Sequence, residues 1–383
     1  ALHTSPPGPS VVQISLRLEH AWVYSAPVWL ETLFELERLK EEGLIAHLGV
    51  TNFDAAHLRI AVASGIDIVT NQVSYSLLDQ RANGEMKDVC TQYDVKLLAY
   101  GTLAGGFLSE RWLDQPEPEL SKDATWSQMK YKRFIEAAGG WSGYQAILQA
   151  LQPIADKHQA SLANIAVRYI LDQPHVASVI IGARLGESEH IDSNSYIYDI
   201  QMDKDDKAIL DRALNNLDPI PGDCGDEYRQ PPFLTASGDL SHHVKSFPKP
   251  YEVVTRDSGQ QVVFSGTDWE DIAGFCRATK SGNTIKVSGT TATHVDQLIG
   301  GNDLKAQTHF IIDKIEGAII SLGGTLADVD RTRIFVRNIA DWEPVARAHG
   351  ERFGSIQPAN TLVEAKLVGE EYLVEIEAEA TLK

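Results

Sequence analysis

Between Val11 and Asp226 short apolar runs alternate with amphipathic stretches of helical period, and few residues separate one from the next. A strand is expected over residues 11–16. A helix is expected over 29–42, with Leu30, Leu33, Phe34, Leu36 and Leu39 near one face and Gly43 at its end. Strands over 46–50, 66–72, 95–100 and 177–182 continue the rhythm. Helices are expected after Asp54, a suitable N-cap, and over 83–93, 144–158, 161–172 and 187–194, with a capping helix over 203–217. Residues 109–140 read as a polar, proline-containing excursion. Such alternation with short connections predicts parallel βα units, because each helix must return the chain to the same edge of the sheet.

The rhythm stops in a boundary over 218–251, where Pro219, Pro221, Pro231, Pro232, Pro248 and Pro250 scatter among Gly, Asp and His. Beyond it, strands are expected over 262–265, 284–289, 331–335, 361–367 and 372–380, with helices over 303–321 and 342–353. Phe310, Ile311, Ile315 and Ile319 give the first of these helices a packing face. Runs of strand and helix without alternation predict a compact α+β domain. The expected domains are 1–231 and 252–383, with 232–251 as the linker.

Charge narrows the function. With 34 Lys+Arg against 53 Asp+Glu, the chain carries a net −19, which excludes nucleic-acid binding through a basic surface. No apolar run is long enough to span a membrane. Three cysteines, widely spaced and without a C-x-x-C, suit unpaired thiols in a reducing, cytoplasmic compartment. His242-His243 has no acidic or cysteine partner at ligand spacing, so no metal site is expected. The chain opens on Ala1 without signal-peptide features, and the expectation is that the native chain begins upstream.

Polar residues close each strand of the first half: His20, Thr51-Asn52, Asn71-Gln72, Tyr100 and Gly182-Ala183-Arg184. In barrels of parallel strands these C-terminal ends hold the active site. Four stretches, in order, resemble the aldo-keto reductase family: Gly43-Leu-Ile-Ala-His-Leu-Gly-Val-Thr-Asn-Phe, Asn71-Gln-Val-Ser-Tyr-Ser-Leu-Leu, Leu97-Leu-Ala-Tyr-Gly-Thr-Leu-Ala-Gly-Gly and Val179-Ile-Ile-Gly-Ala-Arg. The resemblance covers about residues 11–230. It implies an α/β fold: part of a (β/α)₈ TIM barrel, strands four to eight. It also implies NADP or NAD as cofactor. His20 would orient the substrate carbonyl, while Thr51, Asn52 and Gln72 would hold the nicotinamide carboxamide. Tyr100 would stack on the nicotinamide ring. Gly182, Ala183, Arg184, His190 and Asn194 would bind the adenosine and its phosphates. His190 stands where the family has a basic residue, which leaves the choice between NADPH and NADH open.

The departure from the family matters as much. The family's Asp, tyrosine acid and lysine lie on strands before the histidine strand, and here only about ten residues precede it. The expectation is that the chain as given does not reduce carbonyls by the family's mechanism, because the group that protonates the alkoxide is absent. Five strands also leave two sheet edges open.

In the second half, Ser288-Gly289-Thr290-Thr291, Gln307, Gly323, Asp328-Val329, Pro358-Ala359-Asn360-Thr361 and Val374-Glu375-Ile376-Glu377-Ala378 resemble the RidA/YjgF family. That implies a chorismate-mutase-like α+β domain, a homotrimer, and interface clefts for a small carbonyl or imine-type ligand. Glu375 would position the attacking water and Ser288 would line the cleft. The carboxylate clamp is Asn360 instead of arginine, and an amide does not replace a two-pronged cation. A cleft tyrosine is Phe275, and Arg277 is the candidate to supply charge from another direction. Two readings follow: a nicotinamide-dependent reductase fused to a RidA-like module, or a trimeric ligand-binding protein carrying a reductase remnant.

Overall fold

The computed structural model describes residues 17–19, 21, 23–119, 125–182, 190–229 and 247–383. The first half is a five-stranded sheet in sequential order: β1 (Arg17–Glu19), β2 (Leu48–Thr51), β3 (Ile68–Ser74), β4 (Lys96–Tyr100) and β5 (Val176–Ile180). Every neighbouring pair is parallel. The crossovers are α1 (Val28–Glu41), α2 (Ala55–Ala63), α3 (Glu85–Tyr93) and, between β4 and β5, α4 (Trp126–Ala137), α5 (Gly140–His158) and α6 (Leu162–Leu171). After β5 come α7 (Ile191–Ser195), α8 (Lys204–Leu214) and α9 (Asp226–Arg229). The strand expected over 11–16 lies outside the described residues.

Alternation along β4 shows which face the helices cover. Leu97 and Ala99 are fully buried, whereas Lys96, Leu98 and Tyr100 are half-buried on the opposite face. Asp54 caps α2 as expected, accepting from the His57 N–H at 2.8 Å. Among the described residues β1 and β5 each pair on one side, so the sheet is open at both edges.

Two expectations need correction. Residues 109–140 are not all excursion, since α4 occupies much of them and starts with a capping box between Thr125 and Gln128. Its apolar period was obscured because Lys130 and Lys132 are themselves buried. The boundary over 218–251 is not all linker either: residues 218–229 fold back over the strand ends, with α9 among them.

The second half is a seven-stranded sheet of order β13-β12-β14-β9-β8-β7-β6. Its strands are β6 (Val253–Thr255), β7 (Gln261–Val263), β8 (Ala278–Ser281), β9 (Thr284–Thr290), β12 (Val329–Val336), β13 (Ala359–Glu364) and β14 (Val374–Thr381). Only β12 and β13 pair in parallel. A small hairpin joins β10 (Thr293–His294) to β11 (Gln297–Leu298), and α10 (Asp268–Ala273), α11 (Leu304–Ser321) and α12 (Trp342–Phe353) complete the domain.

The two halves are joined through α11. Phe310, Ile311, Ile315 and Ile319 are buried, as the sequence pattern requires. Thr308, His309 and Asp313 are buried too, because α11 also packs against α2 of the first half and against α12. Polar groups close this junction in pairs. Arg59 donates to Asp303 at 2.8 Å, Lys305 to Glu85 at 2.6 Å, and the Gly300 N–H to Ser64 Oγ at 2.9 Å.

Candidate functional site

The ends of β2, β3 and β4 bring together four of the expected residues. The Thr51 hydroxyl donates to the Gln72 carbonyl at 3.1 Å, and the Asn52 N–H donates to the same oxygen at 2.9 Å. Asn52 has a φ of 57°, in the left-handed region that asparagine tolerates better than most residues. That backbone turns its buried side chain toward β4, where the Tyr100 hydroxyl donates to Asn52 Oδ1 at 2.7 Å.

Two glycines let other elements close on this floor. Gly101, with φ +68°, follows Tyr100, and a side chain there would collide with the Tyr131 hydroxyl. Its absence lets α4 settle against the end of β4 and places Lys130 Nζ 5.3 Å from the Tyr100 ring centre. Gly225, with φ +81°, lies against the Asn52 carbonyl oxygen, where a Cβ would also collide. This turn delivers α9: Arg229 donates to the Asn52 carbonyl and, at 2.7 Å, to the Cys224 carbonyl.

Lys130 is the hub of the resulting cluster. It donates to the Tyr228 hydroxyl at 2.8 Å and to Glu227 at 3.4 Å. Its ammonium lies 4.4–5.4 Å from the ring centres of Tyr228, Tyr100, Tyr131 and Phe134. Burial opposes its charge, but Glu227 and the surrounding phenols more than compensate, holding the ammonium above the usual lysine range. Glu227 is fully buried; burial would raise its carboxyl, yet Lys130 and Arg81 bring it down to about 2. Arg81 is held in turn by Asp79 at 2.8 Å and Glu227 at 3.0 Å. Burial, reinforced by Glu227 and Tyr228, puts the Tyr100 phenol well above its ordinary value. None of Lys130, Glu227, Tyr228, Arg81 and Arg229 was expected from the sequence.

The other expected positions are less assembled. His20, Ala183 and Arg184 lie outside the described residues, as does His242-His243. Gly182 and His190 are exposed, and Asn194 sits half-buried on α7. The donor set fits a nicotinamide carboxamide, which both donates and accepts hydrogen bonds. Among the described residues no protein group engages the Asn52 amide nitrogen or the Gln72 carboxamide. The Gln72 carboxamide has donors and an acceptor to give, and Asn52 its amide nitrogen, since Asn52 Oδ1 already accepts from Tyr100.

In the second half, Glu375 is half-buried on β14. Burial raises its carboxyl first and Glu377 adds to this, while Arg277 opposes it. Glu377 and Glu379 share its face and pair with Arg333 at 3.1 and 2.9 Å. The Ser288 hydroxyl donates to the Cys276 carbonyl at 2.8 Å. Phe275 is half-buried, 5.3 Å from the Arg277 guanidinium.

Arg277 is largely engaged within its own domain. Its guanidinium is buried and donates to the Gly289 carbonyl at 2.7 Å and to Thr290 Oγ1 at 2.8 Å, with Glu270 3.5 Å away. It ties the residue before β8 to the end of β9, at the end of this hairpin away from its turn. Asn360 lies exposed on β13, at the sheet edge, donating to Thr332 Oγ1 at 2.9 Å. β12 separates it from Glu375, so a single chain does not bring Asn360 and Glu375 into one cleft.

Two clefts, of about 730 and about 690 Å³, open at the junction of the halves, and the second reaches Asp54, Asp226 and Arg229 beside the strand ends. The cations lining the first, Arg59, Lys305 and Arg347, are all paired with carboxylates. Among the described residues no cluster of His, Cys, Asp or Glu could hold a metal, and no helix is long and apolar enough to cross a membrane.

Comparison with known proteins agrees with this division. The aldo/keto reductase family matches residues 10–215, and the endoribonuclease L-PSP family matches 258–382. Flagellar radial spoke protein 5 of Chlamydomonas reinhardtii is 32% identical over 136 residues, 35% of this chain and 26% of that protein. The NADH-specific methylglyoxal reductase of Escherichia coli is 26% identical over 191 residues, 49% of this chain and 54% of that one. The chain thus spans about half or less of the length of these curated relatives. The crystal structure of a YjgF/YER057c/UK114 family member from Mycobacterium tuberculosis is 40% identical, covering 32% of this chain and 99% of its own, with a TM-score of 0.30. With more than half of its length matched by one family and the remainder by another, this chain belongs to the aldo/keto reductase family and carries a RidA-type L-PSP domain behind its reductase domain.

Proposed function

We propose that the first half binds a nicotinamide dinucleotide, NADP or NAD, at the ends of β2, β3 and β4, as the cofactor-holding part of a site of the kind that exchanges hydride between a small carbonyl compound and its alcohol. The observation that carries this reading is the meeting of Thr51, Asn52, Gln72 and Tyr100 on consecutive strands, with the Asn52 and Gln72 amides available to a carboxamide. The cofactor, when bound, supplies the hydride. The chain's own part is to fix the carboxamide through Asn52 and Gln72. It also offers one face of the Tyr100 ring while Lys130 holds the other. His20, Gly182, Ala183, Arg184, His190 and Asn194 remain the positions proposed for substrate orientation and for the adenosine phosphates. Titration of the full chain with NADPH and NADH, followed by cofactor fluorescence, tests the reading. Asn52→Ala and Gln72→Ala should each weaken binding about ten-fold, the worth of one net hydrogen bond. No fluorescence change with either cofactor would sink it.

The second half we read as a module for a small carbonyl or imine-type ligand that assembles as a homotrimer, with Glu375, Ser288 and Phe275 lining the cleft. Separation of Asn360 from Glu375 within one chain supports this, because a second copy would have to complete any cleft using both. Sedimentation should give three times the 42.1 kDa of one chain, and a monomer at micromolar concentration would contradict the assembly. Three unpaired cysteines, Cys90, Cys224 and Cys276, fit a reducing compartment such as the cytoplasm.

A further inference from the structure

The floor of the strand-end site depends on a residue in an unfavourable backbone conformation. Asn52, at φ 57°, stays in the left-handed region only while its surroundings hold it there. Three groups do so. The Gln72 carbonyl accepts from its N–H at 2.9 Å, Tyr100 donates to its Oδ1 at 2.7 Å, and Arg229 donates to its carbonyl. The first two belong to the sheet, but the third leads out of the first half. Arg229 lies 3.5 Å from Asp54 and 4.8 Å from the centre of the Tyr24 ring, which is itself stacked on His57. His57 meets Asp54 with one ring nitrogen, at 2.6 Å, and Asp313 of the second half with the other, at 3.0 Å. Two glycines let the second half come so close. A Cβ at Gly301 would collide with the Ala63 carbonyl oxygen, and one at Gly317 with that of Ser25, beside Tyr24.

We propose that Asp313 of the second half is a positioning residue for the cofactor site, acting through His57, Asp54 and Arg229 to hold Asn52 in the conformation that presents its amide nitrogen. This rests on the reading of the strand-end site as a nicotinamide site. While His57 is charged it compensates Asp54, and Arg229 remains on the Asn52 and Cys224 carbonyls. Once the imidazole is neutral, Asp54 is a buried carboxylate short of a partner, and Arg229 is the cation it draws off Asn52. Burial opposes the imidazole's charge, and Asp54 and Asp313 together overcome it, so that the proton is kept up to about 9. Asp313 is thus half of what keeps the link charged. Among the described residues the other groups facing His57 are engaged elsewhere. Glu316 of α11 pairs with Arg352 of α12 at 2.7 Å, and Asp226 of α9 with Arg229 at 3.4 Å. His309 of α11 is pushed toward neutrality by burial and lies 3.0 Å from Glu351.

The test titrates the full chain with NADPH and NADH, by cofactor fluorescence, from about pH 7 to about pH 10.5. Wild-type affinity should fall several-fold over that range as His57 discharges. His57→Gln should bind about ten-fold more weakly at neutral pH, the worth of one net hydrogen bond on Asn52, and should show no such fall. Asp313→Asn should move the fall to lower pH, and Asp313→Glu should return it toward the wild type. Linkage supplies a second readout: if the charged imidazole favours cofactor ten-fold, saturating cofactor raises the pH at which the His57 ring resonances titrate by about one pH unit. A third readout needs no cofactor. With isotope labelling confined to asparagine, the Asn52 amide resonance should shift as His57 titrates, and should not in His57→Gln. If the wild type binds cofactor while His57→Gln and Asp313→Asn keep its affinity and pH profile, the positioning role is overturned and the cofactor reading stands. If neither cofactor binds, the cofactor reading fails, and the Asn52 resonance decides whether the second half holds this residue: a signal that follows His57 supports it, and an indifferent one overturns it.

Discussion

His57 on α2 and Asp313 on α11 face each other across the junction of the two halves, Nε2 to Oδ2 at 3.0 Å. The other ring nitrogen meets Asp54 at 2.6 Å, Tyr24 stacks on the imidazole with ring centres 3.4 Å apart, and Arg352 holds the second oxygen of Asp313 at 2.6 Å. Burial alone would push this imidazole toward neutrality. Two flanking carboxylates override that and lift it to about 9. The junction is thus held by a charged histidine between one carboxylate from each half.

A pH dependence follows with a definite sign. His57 in the unfolded chain titrates near about 6.5, so its contribution is complete below that pH. It fades as pH rises and is gone once pH passes through about 9. Thermal unfolding between pH 6 and 10 should show wild-type stability falling over that window, and His57→Gln should flatten the fall. Asp313→Ala should cost about 3–5 kcal/mol near pH 7, because it leaves buried cations uncompensated. A pH profile identical in wild type and His57→Gln would show that the junction does not depend on this proton.

Arg277 gives a second test, one that separates structure from recognition. Its side chain and that of Glu270 are 5% and 3% exposed. Arg277→Ala should therefore destabilise the second half by about 3–5 kcal/mol, read from the urea midpoint, with no specific effect on ligand affinity in the fraction still folded. A variant that folds like the wild type but loses a carboxylate ligand would restore Arg277 to the clamp.

Gly101 tests the packing that brings Lys130 over Tyr100. Alanine at a φ of +68° costs about 1–2 kcal/mol in backbone strain alone, and its methyl would meet the Tyr131 hydroxyl. Gly101→Ala should lower the melting temperature and, by pushing α4 away, change the near-ultraviolet signal of the tyrosines around Lys130. If only stability changed and that signal did not, α4 would be anchored elsewhere.

What the sequence made legible divides along physical lines. The apolar periods of α1, α11 and β2 to β5 placed those elements to within a few residues, since burial of one face writes itself into the pattern. The strand-end residues Thr51, Asn52, Gln72 and Tyr100 could be read because they follow apolar runs directly. Lys130 and Glu227 could not. They are charges buried in mutual compensation, so in the sequence they looked like solvent-facing residues of an excursion and a linker. The same blindness hid the junction: His57, Arg59 and Asp313 carry no apolar signal, and their partners lie more than two hundred positions away.

The final prediction concerns Asn360, where the second half differs from what its resemblance implies. The amide is exposed on the edge strand and its nitrogen is spent on Thr332 Oγ1, which also lies 3.0 Å from His349 Nε2. The Arg277 charge reaches Glu375, but its guanidinium already donates to Gly289 and Thr290. The wild-type chain should bind 2-oxobutanoate weakly and should not hydrolyse 2-iminobutanoate above background. Asn360→Arg restores a charged, two-pronged donor, and one net charge-assisted bond is worth about 1.5–3 kcal/mol. Affinity for 2-oxobutanoate should then rise about ten- to a hundred-fold. The gain should appear only in the trimer, since β12 separates Asn360 from Glu375 within one chain. Titration calorimetry on both forms, at concentrations above and below dissociation, decides the matter. Tight binding by the wild type would mean that another group already supplies the clamp. An Asn360→Arg gain that persists in the monomer would mean that the cleft is complete within one chain.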